Sequence, residues 1–586
     1  MNAKSQVRSF LFYINKMTEK TVNNSHPKGL YILFATEMWE RFNYYGMRAV
    51  LVLFMTKALL FDKAFASGLY GSFTSLVYLT PLIGGFIADK YWGNQRSIIA
   101  GGLVMALGEL MLFFCGMTYD NASSLSAMLF FSGLGLMIAG NGFFKPNISS
   151  LVGQLYPKGD RRTDAAYTIF YMGINVGGAL GPFICGLVGD TGNPADFKWA
   201  FLAGAVGMLI SVIIQLTFAK KYVVDADNKP LGQTPEGVHS GWSKPLYIML
   251  GMAAFVTVAI GLLYLDAIIF SYLPYLLVAA AVAILGIVIT DKTLTKTEKQ
   301  RVGVIFIVAF FVIFFWGAFE QAGASLTFFA DEQTNRHLGL QLPVWTVYLV
   351  GLAALTGIYK LYKKTRISLF SEHDKALRRT IISLLSIGGL AIIYLIISII
   401  SKGKTHLVLE ELPASTFQSL NSIFVVTFAP VFAWIWVKMG KKEPAAPTKM
   451  AIGLLLLASG YLWIAIGVKD VAPGIRVSMI WLIGMYLLHT WGELCLSPIG
   501  LSLVNKLSPL KFSSLLMAVW FLANAFGYYV AGTLSKLYPD NKTTSFLGYE
   551  MGNLYDFFIL FVAMAGVASV VLFGISKWLK GRMQEI

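Results

Sequence analysis

Apolar stretches of about 18 or more residues recur from one end of this chain to the other, each enough to cross a hydrocarbon core about 30 Å thick. They predict helical spans at 30–57, 67–88, 97–117, 125–148, 163–188, 198–219, 245–266, 270–290, 302–330, 343–360, 380–401, 415–437, 449–468, 478–500, 513–535 and 556–576, about sixteen in all. The loops between them alternate in charge. Those expected inside carry Lys90 and Arg96, Lys158 with Arg161 and Arg162, Lys220 and Lys221, then Lys292 to Arg301, Lys360 to Arg379, Lys438 to Lys442, and Lys506 with Lys511. Loops on the other side hold three Lys or Arg at most. By the positive-inside rule both termini are expected in the cytoplasm.

Composition agrees with a chain dissolved largely in lipid: 56% of its 586 residues are hydrophobic and 13% charged. The formal charge of +16 would point to nucleic acid in a soluble protein, but here it sits in short loops between spans, so no nucleic-acid partner is expected. Residues 1–28 carry basic side chains around a short apolar patch, too short for a signal-peptide core, and read as an uncleaved tail. Cys115, Cys185 and Cys495 lie within spans at no metal-ligand spacing. No Gly-rich loop ends in Lys-Ser or Lys-Thr, and no nucleophile–base pair stands out, so neither ATP-driven transport within this chain nor an enzyme is expected.

Ionisable groups at mid-membrane cost about 2.5–3.5 kcal/mol each on insertion scales and persist where a bundle interior or watery cavity receives them. The first span holds Glu37, Glu40, Arg41 and Arg48, with Tyr44 among them. At about 100° per residue they share one stripe about 100° wide. A buried structural ladder is one reading, but such pairs often do no better than apolar packing. An ion-pair network that rearranges when a carboxylate takes a proton explains the expense better. Lys145, Glu320 and Glu493 each stand in other spans and need partners from outside their own helix. Four acids and three bases are near neutral if one carboxyl is protonated, which suits proton coupling.

A free peptide is a zwitterion, so its site wants cations at one end, an anion at the other and hydrogen-bonding groups between. Asn175, Asn421, Tyr44, Tyr45 and Tyr78 supply such groups within spans, each serving either ligand contact or a structural bond. Trp316 and Trp520 line a pocket or simply pack. Gly173, Gly177 and Gly181, with Gly178 beside them, read as a close helix-packing face. Pro81, Pro430 and Pro498 are expected to bend their helices. His489 lies one turn before Glu493, without a third ligand, so no metal site is expected.

Gly85-Phe86-Ile87-Ala88-Asp89-Lys90-Tyr91-Trp92-Gly93-Asn94-Gln95-Arg96 resembles the loop signature of the major facilitator superfamily. Glu37-Met38-Trp39-Glu40-Arg41-Phe42-Asn43-Tyr44-Tyr45-Gly46 resembles the more specific ExxERFxYYG motif of the proton-dependent oligopeptide transporter family. Phe143 to Asn147, Phe170 to Gly177, Phe319 to Gln321, Phe417 to Asn421 and Gly492 to Leu494 are similar to further blocks of that family, in order.

The resemblance implies an all-α polytopic membrane protein of the major facilitator fold. Its expected parts are a tail at 1–28, a six-helix bundle at 29–220, a linker with an added helix pair at 221–300, a second bundle at 301–580 interrupted by another pair at about 343–401, and a tail at 581–586. It implies a proton-coupled symporter importing di- and tripeptides across a bacterial inner membrane by alternating access. The proton gradient would be its energy source, with no cofactor and no obligate protein partner beyond membrane lipid. Arg41 and Lys145 would face the peptide carboxylate, with Tyr45 nearby, and Asn175, Asn421 and Glu493 would hold its amino end. Glu37, Glu40 and Glu320 would couple protons together with Arg41. Arg48 with Glu320 would form an outer gate and Lys145 with Glu493 an inner one. Animal members carry a His in the second span that is absent here, so proton movement should rest on carboxylates. The alternatives are a same-fold carrier of another anion, such as nitrate or a modified amino acid, and a peptide receptor that does not transport.

Overall fold

A computed structural model of the chain describes residues 26–119, 124–157, 159–235, 245–264, 266–367, 393, 406–472, 474–540 and 543–583. The first six helices are α1 (Lys28–Leu53), α2 (Lys63–Ile87), α3 (Asn94–Thr118), α4 (Ser124–Gln154), α5 (Arg162–Gly189) and α6 (Phe197–Tyr222). After a polar linker come α7 (Pro245–Tyr264) and α8 (Asp266–Thr290). A capping box then starts α9 (Lys296–Phe319), with Thr295 and Glu298 bonding each other's backbone amides. The remaining helices are α10 (Ser325–Glu332), α11 (Val344–Ile367), α12 (Ser419–Met439), α13 (Ala446–Val468), α14 (Met479–Leu507), α15 (Ser513–Ser535) and α16 (Leu554–Met583).

Fifteen of the sixteen expected spans coincide with these helices, and 380–401 lies outside the described residues but for position 393. The expected tails fall outside them as well, up to position 25 and from position 584. Among the described residues, twelve helical segments are long and apolar enough to cross a membrane. The charges of α1 keep it off that count, and α7 falls short of it, with only a shorter apolar run, Leu250–Gly261. The ninth span is not one helix, as its apolar run predicts. It stops at a 3-10 turn, Glu320–Gly323, and restarts as α10.

Packing follows the small residues. The glycine run of α5 lies against α1: a Cβ at Gly173 would meet Phe34, and one at Gly181 would stand 2.5 Å from the Phe42 carbonyl oxygen. Gly178, on the adjoining face of α5, meets Tyr45 and Ser422 of α12 instead. α3 is held between α4 and α6, α13 between α14 and α16, and α9 against α15 and α16. The two sets of helices meet where α2 lies on α15 and α5 on α12. There Gly71 and Gly532 pack backbone to backbone, and Ser75 Oγ donates to the Ala525 carbonyl at 2.9 Å. Phe54, Phe130, Phe197 and Phe201 cluster in the first set, and Tyr461, Phe557, Phe558 and Phe561 in the second.

The signature turn is tied down by the linker. Gly93 ends the helical turn after α2 with φ +77°, a conformation that disfavours side chains, and the backbone of Gly232 and Gln233 fills the place of its missing Cβ. Gln95 bonds Gly232 and Leu231 through its amide groups. α7 leans on α4, with Ile260 against Gly135 and Phe255 edge-on to Phe143, while α8 touches α2 and α15. Three two-stranded ribbons were not foreseen. β1 (Thr334–Asn335) pairs with β4 (Val477–Ser478), and β5 (Thr544–Phe546) with β6 (Tyr549–Met551). The third, β2 (His337–Pro343) with β3 (His406–Glu411), sets Pro343 opposite His406 and so brings together the ends of segment 344–405.

Candidate functional site

α1 carries the centre of the site. The stripe formed by Glu37, Glu40, Arg41, Tyr44 and Arg48 is buried. Arg41 Nε lies 3.2 Å from Glu37 Oε1 and 2.5 Å from Glu40 Oε2, and its Nη2 donates to Glu40 Oε1 at 2.7 Å. Asn141 on α4 adds a donor to the same Glu40 oxygen at 3.1 Å. Both Glu40 oxygens are therefore engaged, whereas Glu37 Oε2 is buried with no hydrogen-bond partner among the described residues. Tyr45 sits between the two arginines, 5.7 Å from Arg41 and 5.3 Å from Arg48 by ring centroid, and Tyr44 packs edge-on to it.

Two helical turns along α1, Arg48 Nη1 lies 3.1 Å from Glu320 Oε2. The contact is an ion pair by distance, but among the described residues Glu320 Oε2 and Arg48 Nε make no hydrogen bond of good geometry. Such a pair is attractive without being locked. The helix break presents Glu320, and Gln321 anchors that break with all its bonding capacity used: Nε2 donates to Gly317 and Ala531 carbonyls at 3.0 Å each, and Oε1 accepts from Ser325 and Ser535.

Lys145, on α4, has no carboxylate within 4.0 Å among the described residues; its Nζ lies 4.3 Å from the Tyr78 ring centroid. The expected pairing of Lys145 with Glu493 is thus not made in this conformation. Glu493 Oε2 instead accepts from Asn421 Nδ2 at 2.8 Å, and Asn421 also reaches Thr490 Oγ1 at 3.2 Å. Asn175 donates to the Tyr171 carbonyl of its own helix at 2.9 Å. Trp520 packs over Gly500, and Trp316 stacks with Tyr528, which stacks in turn on Tyr78 at 4.4 Å. His489 lies against Tyr461 and Phe319, and no cluster of metal-ligating residues occurs among the described residues. A cavity of about 30 Å³, enough for a water or two, lies between Tyr45, Arg48, Ala322, Gln418, Asn421 and Ser422.

Several participants escaped the sequence reading. Glu109 of α3 is fully buried and accepts from Asn43 Nδ2 at 2.9 Å; it is a lone acid in an apolar span, the same signal that singled out Lys145. Toward the Lys57 end of α1, ion pairs cross between the two helix sets: Lys57 to Asp331 at 2.7 Å, and Lys63 to Glu332 at 2.7 Å and Asp540 at 2.9 Å. Beside them Asp190 accepts from the Ser415 amide and hydroxyl at 3.1 and 3.0 Å. Burial holds the Asp190 carboxyl above the usual aspartate range, partly offset by those bonds. These contacts are made between distant loops, which no local motif reveals.

One buried ion pair, with partly exposed ones beyond it, bridges two sets of membrane helices around polar groups at mid-span, an arrangement suited to a polytopic membrane carrier. The family model described as the POT family matches residues 95–350 and 404–551. An uncharacterized transporter of Bacillus subtilis, YclF, is 33% identical over 89% of this chain and 90% of its own length. A di-/tripeptide transporter of Lactococcus lactis subsp. cremoris is 30% identical over 87% of this chain and 89% of its own. Among solved structures, a peptide transporter in complex with alafosfalin superposes with a TM-score of 0.72 at 27% identity, over 97% of this chain and 98% of its own. The chain belongs to the POT family of membrane transporters.

Proposed function

We propose that this chain is a symporter that imports di- and tripeptides together with protons by alternating access. The observation that carries this reading is the buried cluster of Glu37, Glu40 and Arg41. Its three charges leave one excess negative charge, and one carboxylate oxygen, Glu37 Oε2, has no partner among the described residues and is ready to take a proton. A protonated Glu37 releases its hold on Arg41, freeing guanidinium donors for a peptide carboxylate. Lys145 supplies a second cation with no carboxylate of its own within reach, and Glu493, poised by Asn421, meets the amino end. Tyr44, Tyr45, Tyr78 and Asn175 bond the peptide backbone between them. The Lactococcus lactis relative and the alafosfalin complex support peptides as the cargo.

The conformation reads as closed outside and open inside. Arg48 and Glu320 pair while Lys145 and Glu493 do not, and the ion pairs of Lys57 and Lys63 lie on the closed side. We take it to sit in a bacterial inner membrane with both termini in the cytoplasm, a reading the loop charges support. The bundles are 29–220 and 301–580, joined by the linker and pair at 221–300. The family match passes over 351–403, and Pro343 pairs with His406, which supports 343–401 as an addition to the second bundle. Proteoliposomes with an inward proton gradient should accumulate labelled dialanine above equilibrium, and collapsing the gradient should abolish accumulation. Binding without uptake would favour a receptor, and neither would turn the search to other anions.

A further inference from the structure

On the Lys/Arg-rich side of the molecule, the start of α9 and the end of α16 leave a groove of about 460 Å³. Lys296, Lys299 and Arg582 line it together with Trp578, Gly303 and Ile307. Along α9 the distance from Lys296 to Ile307 is about 16 Å, so the groove runs from the charged boundary of the membrane into its apolar depth. Arg301 fixes its width by donating to the Met583 carbonyl across the two helices at 3.2 Å.

Among the described residues no carboxylate lines the groove, and none of its three cations has an ion-pair partner. The acids nearby are committed elsewhere: Glu298 bonds back to Thr295, and Asp291 is held by Lys511 at 2.6 Å, which keeps the Asp291 carboxyl well below the usual range. Arg582 lies 4.4 Å over the Trp578 ring, so the cation is presented on a rigid apolar plate. Deeper in, Gly303 leaves an opening, since a Cβ there would meet nothing within 4 Å.

We propose that this groove is a binding site for an anionic phospholipid of the adjoining leaflet. The lipid phosphate sits on Lys296, Lys299 and Arg582, and one acyl chain runs past Gly303 and Ile307. Basic pockets between spans suit such headgroups, and each cation is worth about fivefold in affinity near a membrane surface. A purely apolar lipid groove would not need the cations, and a free-phosphate site would not need the apolar depth.

The test is lipid retention by the purified full chain from nanodiscs holding equal phosphatidylglycerol and phosphatidylcholine, read by native mass spectrometry. One phosphatidylglycerol should be retained in preference. Lys296→Ala with Lys299→Ala should cut that preference about 25-fold, while Lys220→Ala with Lys221→Ala, on another exposed basic turn, should not. Gly303→Phe, which fills the groove with no clash at its Cβ, should block retention while leaving all three cations in place. Equal retention of the two lipids, equal loss in both lysine pairs, an unaffected Gly303→Phe, or displacement of the lipid by inorganic phosphate would each overturn the proposal.

Discussion

Replacing Glu320 by glutamine keeps its shape and removes its charge, leaving Arg48 buried opposite a neutral amide. The loss falls only on the state in which the two meet, with side chains 8% and 3% exposed. Exchanging a charge-assisted contact for a neutral one costs about 2 kcal/mol. At 1.36 kcal/mol per tenfold, that shifts the balance between outer-closed and outer-open forms by about 30-fold. Ala322, which lines the small cavity beside the pair, is 7% exposed, and the native cysteines are buried. A cysteine at position 322 should therefore react slowly with a membrane-impermeant thiol reagent added outside, and up to about 30 times faster when Glu320→Gln accompanies it. Proton-driven uptake should fall more than peptide exchange at equal pH. An unchanged labelling rate, or equal loss of both transport modes, would refute the gate and its coupling role.

Lys57→Asp should weaken uptake severalfold at most, because partly exposed pairs are worth about 0.2–1 kcal/mol, and adding Asp331→Lys should restore it; no restoration in a proteoliposome assay would mean the pair does not latch the two helix sets. Glu109→Gln should retain folding and uptake, since an amide oxygen still accepts from Asn43, whereas Glu109→Ala should lose about 1–3 kcal/mol from the unsatisfied donor; a Gln variant as unstable as Ala in thermal melts would show that the charge matters. Arg41→Lys should abolish most uptake despite keeping the charge, because an ammonium cannot span Glu37 and Glu40 as the guanidinium fork does; near-normal uptake would contradict that geometry. Asp190 has a raised pKa when folded, so its contribution is fully present below the unfolded value and is lost as pH rises through the folded one. Asp190→Asn should then melt at least as high as the parent at pH 7 and vary less between pH 4 and 7; a variant less stable at pH 7 would reverse the sign.

Much of this was legible because lipid is a demanding solvent. A charge inside an apolar run has to be received by something, so Glu37, Glu40, Arg41, Arg48, Lys145, Glu320 and Glu493 stood out before any contact was known. Glu109 met the same criterion and was passed over. Partners were less legible than participants. Nothing along the chain says that Asn141 reaches Glu40, or that Asn421 rather than Lys145 holds Glu493 in this conformation, since those contacts depend on how helices are set side by side. The break at Glu320 was hidden for a related reason: the Gly317 and Ala322 carbonyls accept from the side chains of Gln321 and Thr327, and Ser535 of α15 holds Gln321 in place. The ribbons of 334–335 with 477–478 and of 337–343 with 406–411 are loops whose pairing is set by distant neighbours, whereas 544–551 is a local hairpin turning at Leu547 and Gly548, both at positive φ.

Coupling is tested most directly by letting the peptide drive the proton. Proteoliposomes with a pH dye trapped inside, equal pH on both sides and the membrane potential clamped at zero by ionophore, should acidify within when dialanine is added outside. The acidification should disappear in Arg41→Ala and Glu37→Gln. Entry of labelled dialanine without any change in internal pH would contradict the symporter.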